Sequence, residues 1–474
     1  MLTEASSFQS MLVNFSPVFT EPSFKNCTTL MVGWLLCTGR RTISRVIQVG
    51  ALAGGTRRHH STLYRFFSRA RWEHDGLGAC VLQLVLEFLP SNARIVLTVD
   101  DTLCCKGGAH IWGGGMHHDG VRSTVGGARG AMKLFSFGHN WVILCVCVPL
   151  PWNAKRAIAV PVGFRLYRSK KRCPPAKYRK RTELARELVQ AAVARLAEDR
   201  EVMLVGDTEY ACREVVRGLP ERVVFVGPMN MGAALYDPPP AKGKQPGRPR
   251  KKGERLLSPR QLVAARNVPW KSYDLVLYGR EVTVLIKTQA CLWYRVAGGR
   301  LVRMIVTRDP KGRVEDRAYF VTDAKTGVES IAQSFALRWT QEEMHRNVKQ
   351  HLGLEDPQNG WWRRPRGRRR NKKLPGPRPH KQRGSRAVGR TVPFILTAYA
   401  LVVLWYLAQG SPQADVERAR RRAPWYRHKS EPSFGDMLAA LRRHLWAEQD
   451  FSEPATGKAC VKTDAALLDW LCAA

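Results

Sequence analysis

Five short runs in the first half of the chain leave few folds open. RIVLTVD (Arg94–Asp100), GHNWVILCVCV (Gly138–Val148), AIAVPVGFRLY (Ala157–Tyr167), VMLVG (Val202–Gly206) and VVFVG (Val223–Gly227) are apolar at consecutive positions, not alternate ones. A strand with one face in water alternates, whereas a strand with no polar face has to be covered on both sides. These runs predict strands of a buried sheet. After the third, TELARELVQAAVARLAE (Thr182–Glu198) places Leu184, Leu188, Val189, Ala192 and Leu196 on one helical stripe. A short helix is expected before the fifth. The order is therefore three strands, helix, strand, helix, strand, with Asp100 and Asp101 ending the first strand and Asp207 the fourth.

A later segment, FALRWTQEEMHRNVK (Phe335–Lys349), reads as one amphipathic helix uninterrupted by Gly or Pro. At about 100° per residue, Leu337, Met344 and Val348 fall within roughly 20° of one another and make a core-facing stripe. Phe335, Arg338, Glu342, His345 and Lys349 gather on the adjoining face. Glu342 thus shares a wall with basic side chains, and Glu343 points about 100° away from it. Solvated i,i+4 pairs on an ordinary helix would give the same pattern.

The 474 residues can bury several cores, and 77 Lys+Arg against 39 Asp+Glu leave a formal charge of +38. A compact chain with that excess repels itself unless a polyanion neutralises it, and nucleic-acid phosphates are the usual partner. RNA and anionic membrane compete for that role. The 12 Cys are scattered through apolar runs without a CxxC pair, as expected of reduced thiols in a cytosolic protein. No signal peptide is expected, because no charged segment leads directly into an apolar one at the N-terminus. The apolar run Pro393–Ala408 is short for a bilayer and reads as a buried core helix.

The first 85 or so residues read as helical. Thr42 would cap ISRVIQVGAL (Ile43–Leu52), Gly54 and Gly55 would end it, and Ser61 or Thr62 would cap LYRFFSRARW (Leu63–Trp72). Arg57, Arg58, His59 and His60 precede the second helix, and Arg65, Arg69 and Arg71 lie along it. Two short helices, the second basic, suit a helix-turn-helix reader of the DNA major groove, although basic helical hairpins also occur in plain scaffolds. Further on, PPPAKGKQPGRPRKKGER (Pro238–Arg255) reads as a basic arm. The strand-like runs YDLVLY, EVTVLIK, CLWYRV, LVRMIVTR and AYFVTD follow it. Trp270, Trp293 and Tyr294 are more readily sheet-core aromatics than base-stacking platforms. WWRRPRGRRRNKKLPGPRPHKQRGSR (Trp361–Arg386) is a polycationic linker, and PSFGDMLAALRRHLW in the tail is amphipathic. His117 and His118 have no partner at metal-ligand spacing and read as loop residues.

Metal-dependent phosphoryl transfer needs about three carboxylates from separate elements converging on one or two Mg²⁺ ions. Asp100 (or Asp101), Asp207 and Glu342 are a possible set, because neighbouring parallel strands bring their ends together and a packed helix brings its face alongside. The spacing Phe335-x2-Arg338-x3-Glu342-x6-Lys349 resembles the Tyr-Arg-Glu-Lys signature of DDE-type insertion-sequence transposases. TVDDT (Thr98–Thr102) followed by Lys106, and VGDTEY (Val205–Tyr210), are similar to that family's first and second acidic motifs. GRPRKKGERL, the β-rich block and PSFGDMLAALR resemble its branch of DDE superfamily endonucleases. Phe335 stands where the signature has Tyr, which removes a hydroxyl contact and leaves the carboxylate untouched.

The resemblance implies an α/β fold: a ribonuclease H-like catalytic core, an inserted β-rich domain and an N-terminal helical DNA-binding domain. It divides the chain into DNA-binding helices (1–88), the first part of the core (89–227), the inserted block with its basic arm (228–327), the second part of the core with the Arg-rich linker (328–410) and a helical tail (411–474). It implies that Asp100, Asp207 and Glu342 hold two Mg²⁺ or Mn²⁺ ions, with Asp100 favoured over Asp101 by its place before Thr102. Arg338 and Lys349 would contact DNA phosphates beside the cut, Lys106 more weakly, and Arg65 and Arg69 would serve the N-terminal DNA contact. The expected partner is double-stranded DNA, both element ends and target, bound by a homodimer or higher multimer. No membrane is expected, and the setting is cytoplasmic and nucleoid-associated. A transposase-derived binder that has lost catalysis and a polycation for RNA or membrane are the other classes.

Overall fold

The computed structural model describes residues 8–52, 59–107, 111–125, 134–240, 250–357, 382–447 and 472–473. The Gly54–Gly55 break, Arg57, Arg58, half of the proline-rich arm and nearly all of the Arg-rich segment lie outside these residues.

Five helices come first: α1 (Phe8–Val13), α2 (Glu21–Leu36), α3 (Ile43–Leu52), α4 (His60–Phe66) and α5 (His74–Leu86). Thr42 caps α3 as expected, its Oγ1 accepting from the Arg45 N–H at 3.3 Å. The second expected helix is shorter and starts earlier: His59, not Ser61 or Thr62, caps α4, and the helix stops at Phe66. The physical reason lies far along the chain. The buried Arg390 guanidinium donates to the carbonyls of Phe67, Ala70 and Trp72, which a continuing helix would have kept for itself. Arg69 therefore sits on a turn after α4. These helices share one continuous core with the rest of the chain, from Phe8 through Trp34 to Leu445. Trp34 Nε1 donates to the Leu352 carbonyl at 3.0 Å, and Arg41 N–H to Asp356 at 2.8 Å.

The strands follow in the expected order. β1 (Ile95–Cys105) is succeeded by the short β2 (Gly115–His118), α6 (Gly120–Val125), β3 (Phe135–Leu150) and β4 (Asn153–Tyr167). After α7 (Arg181–Val193) come β5 (Val202–Gly206), α8 (Arg213–Val216) and β6 (Val223–Met229). β4, β3 and β1 pair antiparallel, and β1, β5 and β6 pair parallel. The resulting order, β4-β3-β1-β5-β6, is a mixed α/β sheet consistent with a ribonuclease H-like core. The stripe of α7, including Leu188 and Val189, is buried as its spacing requires. Two details differ from the sequence reading. β1 does not end at its acids but runs on to Cys105, because β3 continues to pair with it after β5 has stopped at Val99↔Gly206. His117 and His118 lie on strand β2, not in a loop.

The rest of the chain extends the same sheet. The elements are β7 (Leu235–Tyr236), β8 (Arg255–Leu256), α9 (Pro259–Ala264), β9 (Lys271–Leu277), β10 (Arg280–Leu292), α10 (Tyr294–Ala297), β11 (Leu301–Arg308) and β12 (Arg317–Val321). β12 pairs antiparallel with β6, so the inserted block is continuous with the core sheet and not set apart from it. CLWYRV is not a strand of its own: Cys291 and Leu292 finish β10, and the chain then turns helical to a glycine, Gly298, with φ of 68°. Trp293 is buried edge-on against Phe320, and Trp270 lies under the cations of Lys287 and Arg308.

The segment Phe335–Lys349 is two helices, not one: α11 (Val328–Leu337) and α12 (Trp339–Leu352) meet at Arg338. Arg338 keeps helical angles, but its N–H bonds three residues back to Phe335, and Thr340 Oγ1 takes the Leu337 carbonyl at 2.7 Å. That local competition for carbonyls tightens the turn where the two helices meet. α13 (Gln382–Gln409), α14 (Pro412–Arg422) and α15 (Phe434–Ala447) complete the fold. α13 extends well before Pro393, and Thr397 Oγ1 donates to the Pro393 carbonyl at 2.9 Å. It is long and apolar enough to cross a bilayer by length and composition, yet 89% of that window is buried inside the protein.

Candidate active site

Asp100 and Asp207 are placed by backbone register. β1 and β5 run parallel as far as Val99↔Gly206, so each aspartate is the next residue on its strand. Gly206 is required for the sharp departure that follows: a Cβ there would meet Tyr210 Cβ at 2.9 Å and the Phe225 ring at 3.2 Å. The chain then folds back so that the Glu209 and Tyr210 N–H groups donate to Asp207 Oδ1 at 2.9 and 3.3 Å. Asp100 Oδ1 accepts from the Asp101 N–H at 2.8 Å.

Consecutive strand residues point to opposite faces, and the two neighbouring aspartates have different surroundings accordingly. Asp101 faces α7: its carboxylate accepts from Asn140 at 2.7 Å, Arg181 at 3.0 Å and the Tyr210 hydroxyl at 3.2 Å. Asp100 faces the α11–α12 junction. Arg338 Nη1 is 3.7 Å from Asp100 Oδ2 and 2.6 Å from Glu342 Oε1. α12 is fixed over the sheet by buried Met344 and Val348 and by Gln341, whose amide donates to the Ile143 carbonyl at 2.9 Å. Glu342 in the first turn of α12 therefore shares Arg338 with Asp100, at the point of β1 where β5 stops. Glu343 points elsewhere, toward Arg156 at 3.5 Å.

The electrostatics match that crowding. Burial, then the charges of Asp101 and Asp207, push the Asp100 carboxyl up to about 8, with Arg338 opposing. Asp207 is also raised, first by burial, against the two N–H groups that hold it. Arg338 is desolvated, but Glu342, Asp100 and Asp207 together keep its guanidinium charged. Its Nε is buried with no acceptor among the described residues, so one donor remains for a ligand oxygen. His345 beneath it is held neutral, pushed down to about 3 by burial and by Lys349 and Arg338.

The other predicted residues fall in different places. Lys349 is one side of the same helix but donates to the Leu103 carbonyl at 2.8 Å, with Glu355 at 3.9 Å. Lys106 is buried, and its ammonium donates to the carbonyls of Leu354, Glu355 and Pro357 at 3.4, 2.9 and 2.9 Å. All three of its hydrogens are engaged in tying β1 to the exit of α12, which leaves none for a phosphate. Arg65 and Arg69 are exposed among the N-terminal helices, away from this cluster. Sequence reasoning did not anticipate Arg181, Asn140 and Tyr210 around Asp101, since contacts across 39 to 109 residues leave no local signal. It also missed Tyr278, at a turn with φ of 54°, whose ring meets the half-exposed Trp339 beside Arg338 at 6.4 Å.

The model of the DDE superfamily endonuclease family matches residues 14–296 of the chain. The chain belongs to this family. Membership points to a transposase-like nuclease acting on DNA, and enzymes of this family generally use divalent metal ions. The match takes in Asp100 and Asp207 and stops before Glu342. No curated protein matches the chain.

The donor set suits a hard divalent cation, being carboxylate oxygens from three elements with Asp100 disfavoured as an anion by its neighbours. Among the described residues, no three His, Cys, Asp or Glu side chains already stand close enough to hold an ion. Arg338 holds Glu342 by its ion pair. Glu342 would have to leave that pair to act as a ligand.

Proposed function

We propose that this DDE endonuclease is an insertion-sequence transposase that cuts DNA at its element's ends and joins the freed 3′ hydroxyl to target DNA. Asp100, Asp207 and Glu342 would hold two Mg²⁺ or Mn²⁺ ions. When bound, such a pair stabilises the attacking and leaving oxygens of an in-line displacement at phosphorus. In the first displacement water attacks and the 3′ oxygen leaves; in the second that 3′ hydroxyl attacks a target phosphodiester. Arg338 would neutralise the phosphate, and Lys349, further along α12, would contact a DNA phosphate beside the cut. Double-stranded DNA is the substrate, held by a homodimer or higher multimer in a cytoplasmic, nucleoid-associated setting.

The observation that carries this reading is the meeting of Asp100, Arg338 and Glu342 beside Asp207, from three separate stretches of chain. Glu342→Gln is expected to keep duplex binding and abolish Mg²⁺- or Mn²⁺-dependent cleavage. Glu343→Gln, whose side chain faces Arg156, is expected to retain most activity. Full cleavage by Glu342→Gln, or loss confined to Glu343→Gln, would overturn the assignment. The tight Arg338–Glu342 pair also favours a second reading, a transposase-derived DNA binder without catalysis. No cleavage by the unaltered protein with either metal would select it.

A further inference from the structure

The loop between α14 and α15 holds two large aromatic side chains in water. Trp425 is 74% exposed and Tyr426 61%, the highest values for large hydrophobic residues among those described, with ring centroids 6.3 Å apart. The loop is braced. The Tyr426 N–H donates to the Ala423 carbonyl at 2.9 Å, the Lys429 N–H to the Tyr426 carbonyl at 3.1 Å, and Arg420 Nε to the Lys429 carbonyl at 2.9 Å. Lys429 Nζ pairs with Asp436 at 2.6 Å and ties the loop to α15. The aromatic pair is therefore displayed by a fixed backbone.

Its surroundings are cationic. From Arg418 to Lys429 the chain reads RARRRAPWYRHK, with no acid. The side chain of Arg421 is 79% exposed and shares a loose 3.6 Å pair with Glu417, and Arg427 beside Tyr426 is exposed. The loop is also linked to the outer face of α12. Arg156 is 2.6 Å from Glu431 at the loop's end and 3.5 Å from Glu343, the neighbour of Glu342.

We infer that this loop is a second DNA-contacting element. Trp425 and Tyr426 lie against sugars and base edges in a groove, and Arg421 and Arg427 take phosphates of the duplex running on from the cleavage site. Exposed aromatic rings, apolar in the body with a polar tip, interleaved with guanidinium groups suit a ligand that presents sugars and base edges between phosphates. Charge selects DNA over a second copy of the chain, whose own net charge of +38 this cationic loop would repel. The inference rests on the reading that the protein acts on DNA, but not on which carboxylates do the chemistry.

The test is fluorescence anisotropy of the full chain with a fluorescein-labelled random-sequence duplex, without divalent metal, over a series of potassium chloride concentrations. Trp425→Ala with Tyr426→Ala is expected to weaken binding about tenfold. The corresponding double Phe variant should bind as the parent does. Arg421→Gln with Arg427→Gln should flatten the slope of log affinity against log salt by about 1.8, one phosphate contact for each arginine. Parental affinity and salt slope in both loop variants would overturn the inference. So would a changed sedimentation of the free protein with DNA affinity intact, which marks a contact between copies. Weaker binding by the loop variants together with full cleavage by Glu342→Gln would uphold the loop and overturn the proposed site. Parental binding by them with no cleavage by Glu342→Gln would do the reverse.

Discussion

Asp100→Asn should make the metal-free protein more stable, and increasingly so as pH rises. The Asp100 carboxyl is held at about 8 against an ordinary 3.8, by burial first and then by Asp101 and Asp207. At about 1.4 kcal/mol per pH unit, forming the carboxylate costs the fold on the order of 5 kcal/mol. Relaxation around the site should return part of this, leaving about 2–3 kcal/mol to be measured. The folded value lies above the unfolded one, so between about pH 4 and pH 8 the folded chain keeps a proton that the unfolded chain has released. Stability from this group therefore falls as pH rises through that window and levels off above it. Asparagine cannot ionise, so the thermal midpoint of the variant should match the parent near pH 4 and exceed it by several degrees near pH 8.5. On the proposed reading metal reverses the order: Mn²⁺ would compete with the Asp100 proton, so its apparent affinity for the parent should rise with pH up to about 8 and be weak and flat in the variant. Thermal midpoints across pH, with and without Mn²⁺, measure both effects. Variant and parent midpoints that coincide at every pH in both conditions would refute the reasoning.

Three further substitutions probe the frame around the site. Lys106→Met removes the donor for three carbonyls and should cost about 1–3 kcal/mol in urea unfolding while leaving duplex affinity nearly unchanged. Gly206→Ala drives a Cβ to 2.9 Å from Tyr210 Cβ, and should lower stability by about 1–3 kcal/mol and Mn²⁺-dependent cleavage with it, because Asp207 is the next residue. Arg181→Met unpairs Asp101 (3.0 Å) and Glu209 (2.7 Å), two partly buried carboxylates. It should lower the thermal midpoint more at pH 8 than at pH 4, because Glu209, raised first by burial, takes up a proton toward the lower pH.

The sheet was legible because its strands have no polar face: burial on both sides leaves a run of Val, Ile, Leu and Cys that no half-exposed strand or surface helix would carry. The different surroundings of Glu342 and Glu343 are legible for a similar reason, since an angle of about 100° is enough to turn one toward Arg338 and the other toward Arg156. What could not be read was set by contacts distant in sequence. Arg390 ends α4 from more than 300 residues away, and Lys106 is claimed by carbonyls beyond α12. The Asp100–Asp101 pair shows the limit most clearly. Both residues sit in one apolar strand, so alternation alone gives no origin for the pattern. The origin is supplied by Arg181 on one face and Arg338 on the other.

Those two arginines also bear on how so many carboxylates can share one place. Asp100, Asp101 and Asp207 lie where β5 stops beside β1, with Glu209 on one face and Glu342 on the other, and burial with like charge nearby raises Asp100, Asp207 and Glu209. Arg181 bridges Asp101 and Glu209, which removes two of the five from the balance on the α7 face. On the other face Arg338 touches Asp100 and Glu342 and lies near Asp207, so a single guanidinium offsets three acids. That deficit is what a divalent cation would fill. On the proposed reading, Asp100, Asp207 and Glu342 would hold the ions, and Arg338, once its pair with Glu342 is given up, would turn its guanidinium to the DNA phosphate. Metal binding and phosphate binding would then be cooperative through one side chain. Arg338→Lys should weaken that coupling, because an ammonium lacks the fork that spans two oxygens.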